Sequence, residues 1–368
     1  MQARSCGNSL LRCPPVKRAR EFVGRNETTV ELELDRATRG RIGRWLTLPL
    51  LLLTAAIAGC PVFQLPYPCG ELPVRGNEAG DETRSISFDG LERSYLVHPP
   101  AGWDGTTPLP VVLGFHGGAG RAETFRTASG LNAVADRNDF LVVYPNGTGP
   151  NVVCAGQEIP IQTWNAGGCC GFAMENGIDD VGFIRALLDD LPQHYAVDLR
   201  RVYATGISNG AMMSYRLAVE LADRITAIAP VAGAMMIEGE PSRPVPVIHF
   251  HGLMDENAPY FGGVGANADI NPIEHNSVPD TIAFWVNVNH DSPEPVVELI
   301  ADAVIETYEP PEGVDGASVV LYRLPGGGHN WPGGTDVTQG LDTGPLIESV
   351  DASEIIWQFF SDFALPSG

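Results

Sequence analysis

From residue 84 to residue 363, short apolar runs alternate with segments whose apolar positions recur at helical spacing. Residues 85–88 and 93–98 flank Asp89-Gly90, which predicts a β-hairpin. The runs at 111–115 and 140–144 read as strands buried on both faces, and those at 201–205, 225–231, 245–250 and 319–324 as further strands. Between them, residues 122–137, 179–191, 211–221 and 281–288 have helical spacing, and 353–363 predicts an amphipathic terminal helix. Residues 146–177, rich in Gly and Pro, read as one long loop. Strands alternating with helices imply an α/β protein with a mostly parallel, twisted sheet and helices on both faces, a single domain over residues 83–366.

Charge and composition change the picture only at the N-terminus. Residues 1–60 carry 10 basic and 5 acidic side chains, the rest of the chain 13 basic and 40 acidic, and Lys17 is the only lysine. A body this acidic repels nucleic acid and anionic membrane surfaces. Arg39, Arg41 and Arg44 precede an apolar run, 45–58, that ends Ala56-Ile57-Ala58-Gly59-Cys60. A basic stretch, a short apolar run and small residues before a junction describe a secretory signal over residues 39–60, too short for a comfortable membrane span. Ile57-Ala58-Gly59-Cys60 resembles the bacterial lipobox, which implies that Cys60 is acylated and tethers the protein. Residues 1–38 are a polar preface that signal peptides rarely carry, so they read as a start placed too far upstream or as a cytoplasmic extension. Residues 61–82 suit a linker. Export leaves Cys69, Cys154, Cys169 and Cys170, an even number compatible with two disulfides, with local loop closure favouring Cys154 to Cys169 or Cys170.

The chemistry gathers around Gly206-Ile207-Ser208-Asn209-Gly210. A β-prone run before it and a helical segment after it predict a nucleophile elbow, with Ser208 at a helix N-terminus where backbone N–H groups favour negative charge. His116-Gly117-Gly118 after a buried strand matches an oxyanion loop, so Gly117 and Gly118 are candidate donors alongside the N–H of Asn209. Asp255, after the strand at 245–250, is the expected acid, in preference to Glu256, Asp269 and Asp280. His329, in Gly326-Gly327-Gly328-His329, is the expected base. His116, His249 and His251 read as structural and His290 as a surface residue. The order Ser208, Asp255, His329 is the α/β-hydrolase order. Trp164 and Trp331 admit two readings, apolar walls for an acyl group or core packing. The acidic residues opening the helix at 179 read as capping. No metal or organic cofactor is called for.

Five stretches together carry a family resemblance: Gly114-Phe115-His116-Gly117-Gly118, Trp164-Asn165-Ala166-Gly167-Gly168-Cys169-Cys170-Gly171, Asp179-Asp180-Val181-Gly182-Phe183, Gly206 to Met212, and Gly328-His329-Asn330-Trp331-Pro332-Gly333-Gly334. They are collinear over residues 84–363 and resemble the polyhydroxybutyrate depolymerase/feruloyl esterase family, which includes LpqC-like lipoproteins. The resemblance implies a secreted carboxylic ester hydrolase with Ser208, Asp255 and His329 as triad. Its substrates would run from short polyhydroxyalkanoates to feruloyl and acetyl esters on polysaccharides. Relatives often carry a cysteine near the position of His290, absent here, so their disulfide pattern does not transfer. A serine peptidase on the same fold is the main alternative; a non-catalytic binding lipoprotein would leave the triad idle, and an adhesin would show repeats, which the sequence lacks.

Overall fold

A computed structural model describes residues 80–154, 157–266, 273–336 and 342–366. The polar preface, the apolar run with Cys60, and Cys69 lie outside the described residues. In chain order the strands are β1 Glu82–Phe88, β2 Leu91–His98, β3 Leu109–Phe115, β4 Leu141–Pro145, β5 Asn151–Cys154, β6 Gln157–Pro160, β7 Val197–Ile207, β8 Ala227–Val231, β9 Val247–Gly252, β10 Gly263–Val264, β11 Glu274–His275, β12 Val296–Ile300, β13 Ala303–Tyr308 and β14 Val319–Leu324. The helices are α1 Ala122–Ser129, α2 Leu131–Asn138, α3 Gly171–Glu175, α4 Asp180–Asp190, α5 Asn209–Glu220, α6 Val278–Val288 and α7 Ala352–Ser361. Among the described residues no helix is long and apolar enough to cross a membrane.

Ten strands form one sheet in the order β1-β2-β4-β3-β7-β8-β9-β14-β13-β12. The six central strands, β4 to β14, pair in parallel, and the strands at both edges pair antiparallel. Every residue of β3, β4, β8 and β9 is buried, as continuously apolar sequence requires of strands covered on both faces. The core falls into two layers. Residues of α4, α5 and α6 pack one face of the sheet, and residues of α1, α2 and α7 pack the other. This is the α/β-hydrolase fold, with a mostly parallel sheet as expected.

The structure refines several sequence expectations. The helical segment at 122–137 is two helices, because Gly130 takes a left-handed φ of 65° that caps α1 and turns the chain into α2. The stretch 146–177 is no plain loop; it holds the β5–β6 hairpin and α3. The hairpin β12–β13 was not anticipated. All five residues of β12 are exposed, so its apolar side chains follow neither a buried run nor a one-sided alternation. Asp179 caps α4, its carboxylate accepting from Gly182 N at 2.8 Å. Asp180 is different: it is buried, and its carboxylate accepts from Arg93 Nη2 at 2.7 Å and from Asn165 N at 2.8 Å. Capping therefore describes only the first of the two aspartates.

Candidate active site

β7 runs into α5 through Ser208, whose backbone sits at φ 58°, ψ −121°. A non-glycine residue at positive φ is strained, and such strain persists only where the surroundings over-determine it. Here Ser208 N donates to Val231 O at 2.9 Å. Gly206 and Gly210 make the turn feasible. A Cβ on Gly206 would lie 2.6 Å from Phe115 O, and one on Gly210 would lie 2.6 Å from His116 O. The half-buried serine thus stands at the carboxyl end of a central strand, at the start of a 12-residue helix.

The glycine loop after β3 lies beside it. A Cβ on Gly117 would touch Ser208 Cβ at 3.4 Å, and one on Gly118 would approach Asn209 Cβ at 3.9 Å. His116 holds this loop. Its Nδ1–H donates to Gly117 O at 2.8 Å, and its Nε2 accepts from Gly147 N at 3.0 Å, so the buried ring must be neutral with the proton on Nδ1. Burial lowers its pKa to about 4, which agrees. The Asn209 side chain is committed elsewhere: it accepts from Trp164 N at 2.7 Å and donates to Trp164 O at 3.0 Å. Its backbone N–H, first in the helix, has no intrahelical partner and remains available.

The expected acid and base meet. His329 Nδ1–H donates to Asp255 Oδ2 at 2.7 Å, which leaves the Nε2 lone pair of the neutral ring as a base. Asp255 Oδ1 accepts from Asn257 N at 2.9 Å and Ala258 N at 2.8 Å. Burial alone would raise the Asp255 carboxyl; the His329 charge, followed by the His251 and His329 N–H groups, outweighs it and holds the carboxyl well below the usual range. The base loop is cross-braced by residues 342–345. His329 N donates to Thr343 O at 2.6 Å, Gly328 N to Pro345 O at 2.8 Å, and Asn330 Nδ2 to Thr343 O at 3.1 Å and Gly344 O at 3.0 Å. Met254 N donates to Gly327 O at 2.9 Å, joining the acid turn to the base loop.

Other expected residues fall differently. Trp164 is fully buried, and its Nε1–H donates to His116 O at 3.1 Å. Trp331 is 3% exposed and donates to Ser353 Oγ at 3.0 Å. Neither ring can wall a substrate; both back the loops that carry functional groups. Cys169 and Cys170 are a vicinal pair inside the core, and Cys154 ends β5 on the separate β5–β6 hairpin. Of the rival acids, Asp280 lies in the first turn of α6 bonded to Ser277, and Asp269 is outside the described residues. His290 is exposed at the end of α6, its ring donating to Asp315 O at 2.8 Å. No sequence pattern marks His275 on β11, whose pKa is lowered by burial and then by the His329 charge. A lone histidine in a polar stretch carries no periodic signal.

Comparison with known proteins points one way. Residues 93–247 match the family described as Esterase PHB depolymerase. "Putative esterase NocK" from Nocardia uniformis subsp. tsuyamanensis is 30% identical over 321 residues, covering 79% of this chain and 89% of that protein. Feruloyl esterase B from Piromyces equi is 30% identical over 64% of this chain, which spans 42% of its length. Poly(3-hydroxyalkanoate) depolymerase C from Paucimonas lemoignei is 29% identical over 37% of this chain and 30% of its own. With a relative aligned along most of its length and the family match covering the elbow, the chain belongs to the esterase PHB depolymerase family.

Proposed function

We propose that this esterase-family chain is a serine carboxylic ester hydrolase working through an acyl-enzyme. The observation that carries the reading is the 2.7 Å bond from His329 Nδ1 to Asp255, which leaves Nε2 basic, at the same sheet end as the strained Ser208 turn. In the proposed reaction His329 Nε2 takes the Ser208 proton as Oγ attacks the ester carbonyl, and Asp255 stabilises the imidazolium. The N–H groups of Asn209 and of Gly117 or Gly118 receive the developing oxyanion, each worth about 3 kcal/mol if lost. The imidazolium then protonates the leaving alcohol, and water repeats the sequence on the acyl-enzyme.

Feruloyl or acetyl esters on polysaccharides, or short polyhydroxyalkanoates, are the proposed substrates. Relatives named feruloyl esterase, acetylxylan esterase/xylanase and poly(3-hydroxyalkanoate) depolymerase support that class. Leu253, Met254 and Phe261, on the segment carrying Asp255, keep exposed apolar surface suited to an aryl or short alkyl group. Export over residues 39–60, acylation of Cys60, a linker to residue 82, and a Cys169–Cys170 disulfide complete the proposal. The first two rest on the sequence alone.

A panel of p-nitrophenyl acetate and butyrate, methyl ferulate, acetylated xylan, 3-hydroxybutyrate oligomers and a peptide p-nitroanilide tests it, with Ser208→Ala in parallel. Turnover of one natural ester by the wild type alone is the expected result. Equal turnover by Ser208→Ala overturns the mechanism, and preference for the anilide replaces the esterase with a peptidase.

A further inference from the structure

One buried polar cluster lies behind the acid and is not used by the reaction steps above. Tyr215 on α5, and His249 and His251 two residues apart on β9, are all at most 1% exposed. Tyr215 Oη lies 2.9 Å from His249 Nδ1, His249 Nε2 lies 3.1 Å from His251 Nδ1, and His251 Nε2 lies 2.8 Å from Ala258 O. The same Nε2 is 3.4 Å from Asp255 Oδ2. Tyr260 packs edge-on to His251 at 5.8 Å, and Trp285 lies against Tyr215 at 5.8 Å; His275 on β11 is near enough to feel the His251 ring.

Proton counting gives the cluster a direction. A carbonyl oxygen only accepts, so His251 Nε2 must carry a proton. In a neutral ring His251 Nδ1 is then an acceptor, and His249 Nε2 must donate to it. That leaves His249 Nδ1 as an acceptor, which the Tyr215 hydroxyl supplies. Burial keeps the Tyr215 phenol protonated and the His249 ring neutral, with a single proton. Every link donates toward the acid. Ala258, fixed by His251 through its carbonyl, is the residue whose own N–H holds Asp255 Oδ1 at 2.8 Å.

We infer that Tyr215, His249 and His251 form a one-directional hydrogen-bond chain that sets the Asp255 turn, with His251 as the positioning residue for the acid. The inference rests on the triad reading above. The chain starts on the helix that Ser208 opens, so nucleophile and acid share one support. If the Tyr215 hydroxyl is removed, His249 Nδ1 becomes a buried acceptor with no donor, which slackens the His249–His251 link and with it the Asp255 turn, without touching the substrate.

The test uses the purified full chain with 15N-labelled histidine. Long-range 1H–15N spectra of the wild type should show both His249 and His251 protonated on Nε2 alone. A His251 ring protonated on Nδ1 alone, or on both nitrogens, overturns the inference whatever the activity. Tyr215→Phe and His251→Ala should each lower kcat about tenfold or more, a transition-state loss of roughly 1.4 kcal/mol, with KM within about twofold. His251→Gln should recover most of that loss, because its amide N–H replaces Nε2–H. Unchanged kcat in a folded Tyr215→Phe, or a His251→Gln as impaired as His251→Ala, also overturns it. Ser208→Ala is measured beside them: its retained activity would sink the triad reading while leaving the tautomer result intact.

Discussion

The two helix layers support the candidate site by different physics. On the α4–α5–α6 side the supports are directional and polar: Arg93 on Asp180, Asp180 on Asn165 N, Asn209 on Trp164, and the Tyr215–His249–His251 chain. On the α1–α2–α7 side stacked and edge-on rings dominate, with Trp331 also bonded to Ser353. Phe140 stacks on Trp357 at 4.1 Å, Tyr203 on Phe360 at 4.6 Å, and Phe125 meets Trp331 edge-on at 5.1 Å, two residues from His329. The first layer serves the nucleophile and the acid, the second the loop of the base. Hydrogen-bonded groups fail when one proton or one donor is wrong, whereas packed rings lose stability in proportion to what is removed. Damage to the polar layer should therefore appear in kcat, and damage to the aromatic layer in stability.

That contrast can be broken or sharpened in order of expected size. Ser208→Ala removes the proposed nucleophile itself and should lower kcat on the order of 10⁴-fold or more with little change in melting temperature, measured on whichever ester leads the panel. Asp180→Ala should cost about 3–5 kcal/mol, because it strands the buried Arg93 guanidinium. It also frees Asn165 N beside Trp164, so kcat should fall in the protein that remains folded; denaturant unfolding and steady-state kinetics read the two effects. Phe360→Ala should cost about 3 kcal/mol and leave kcat per folded molecule unchanged. A matching fall in kcat would show that the layers are not separable. The smallest effect is expected at Asp291, where burial, followed by Glu309, raises the carboxyl to about 7 and neither oxygen has a partner. An acid with a raised folded pKa costs nothing below its unfolded value of 3.8, and its penalty grows as the pH rises to about 7. Asp291→Asn should therefore raise the melting temperature at pH 8 and leave it unchanged at pH 4.

Much of this was legible in the sequence because it is written in local patterns. The central strands are rich in apolar residues, the elbow needs glycine at 206 and 210, and Asp255 and His329 follow strands in the expected order. Distant partnerships are not written that way. Nothing near Asp180 announces Arg93, 87 residues earlier. His249 and His251 at alternate positions share one face of a strand, but only the packing of α5 brings Tyr215 to them. The tryptophans misled for a related reason: an aromatic beside a catalytic motif can face substrate or brace the loop, and burial alone decides.

The neutral imidazole at His116 has a further consequence, for acid tolerance. Its pKa falls from 6.5 to about 4 on burial, so between those values the unfolded chain takes up a proton that the folded chain refuses. Acid thus erodes stability gradually across that window while the loop keeps its shape. Only near pH 4 does the ring itself gain a proton, and Gly147 N–H then loses its acceptor. The fold carries its own lower pH limit, set beside the glycines proposed to receive the oxyanion, and surroundings milder than that leave their loop in place.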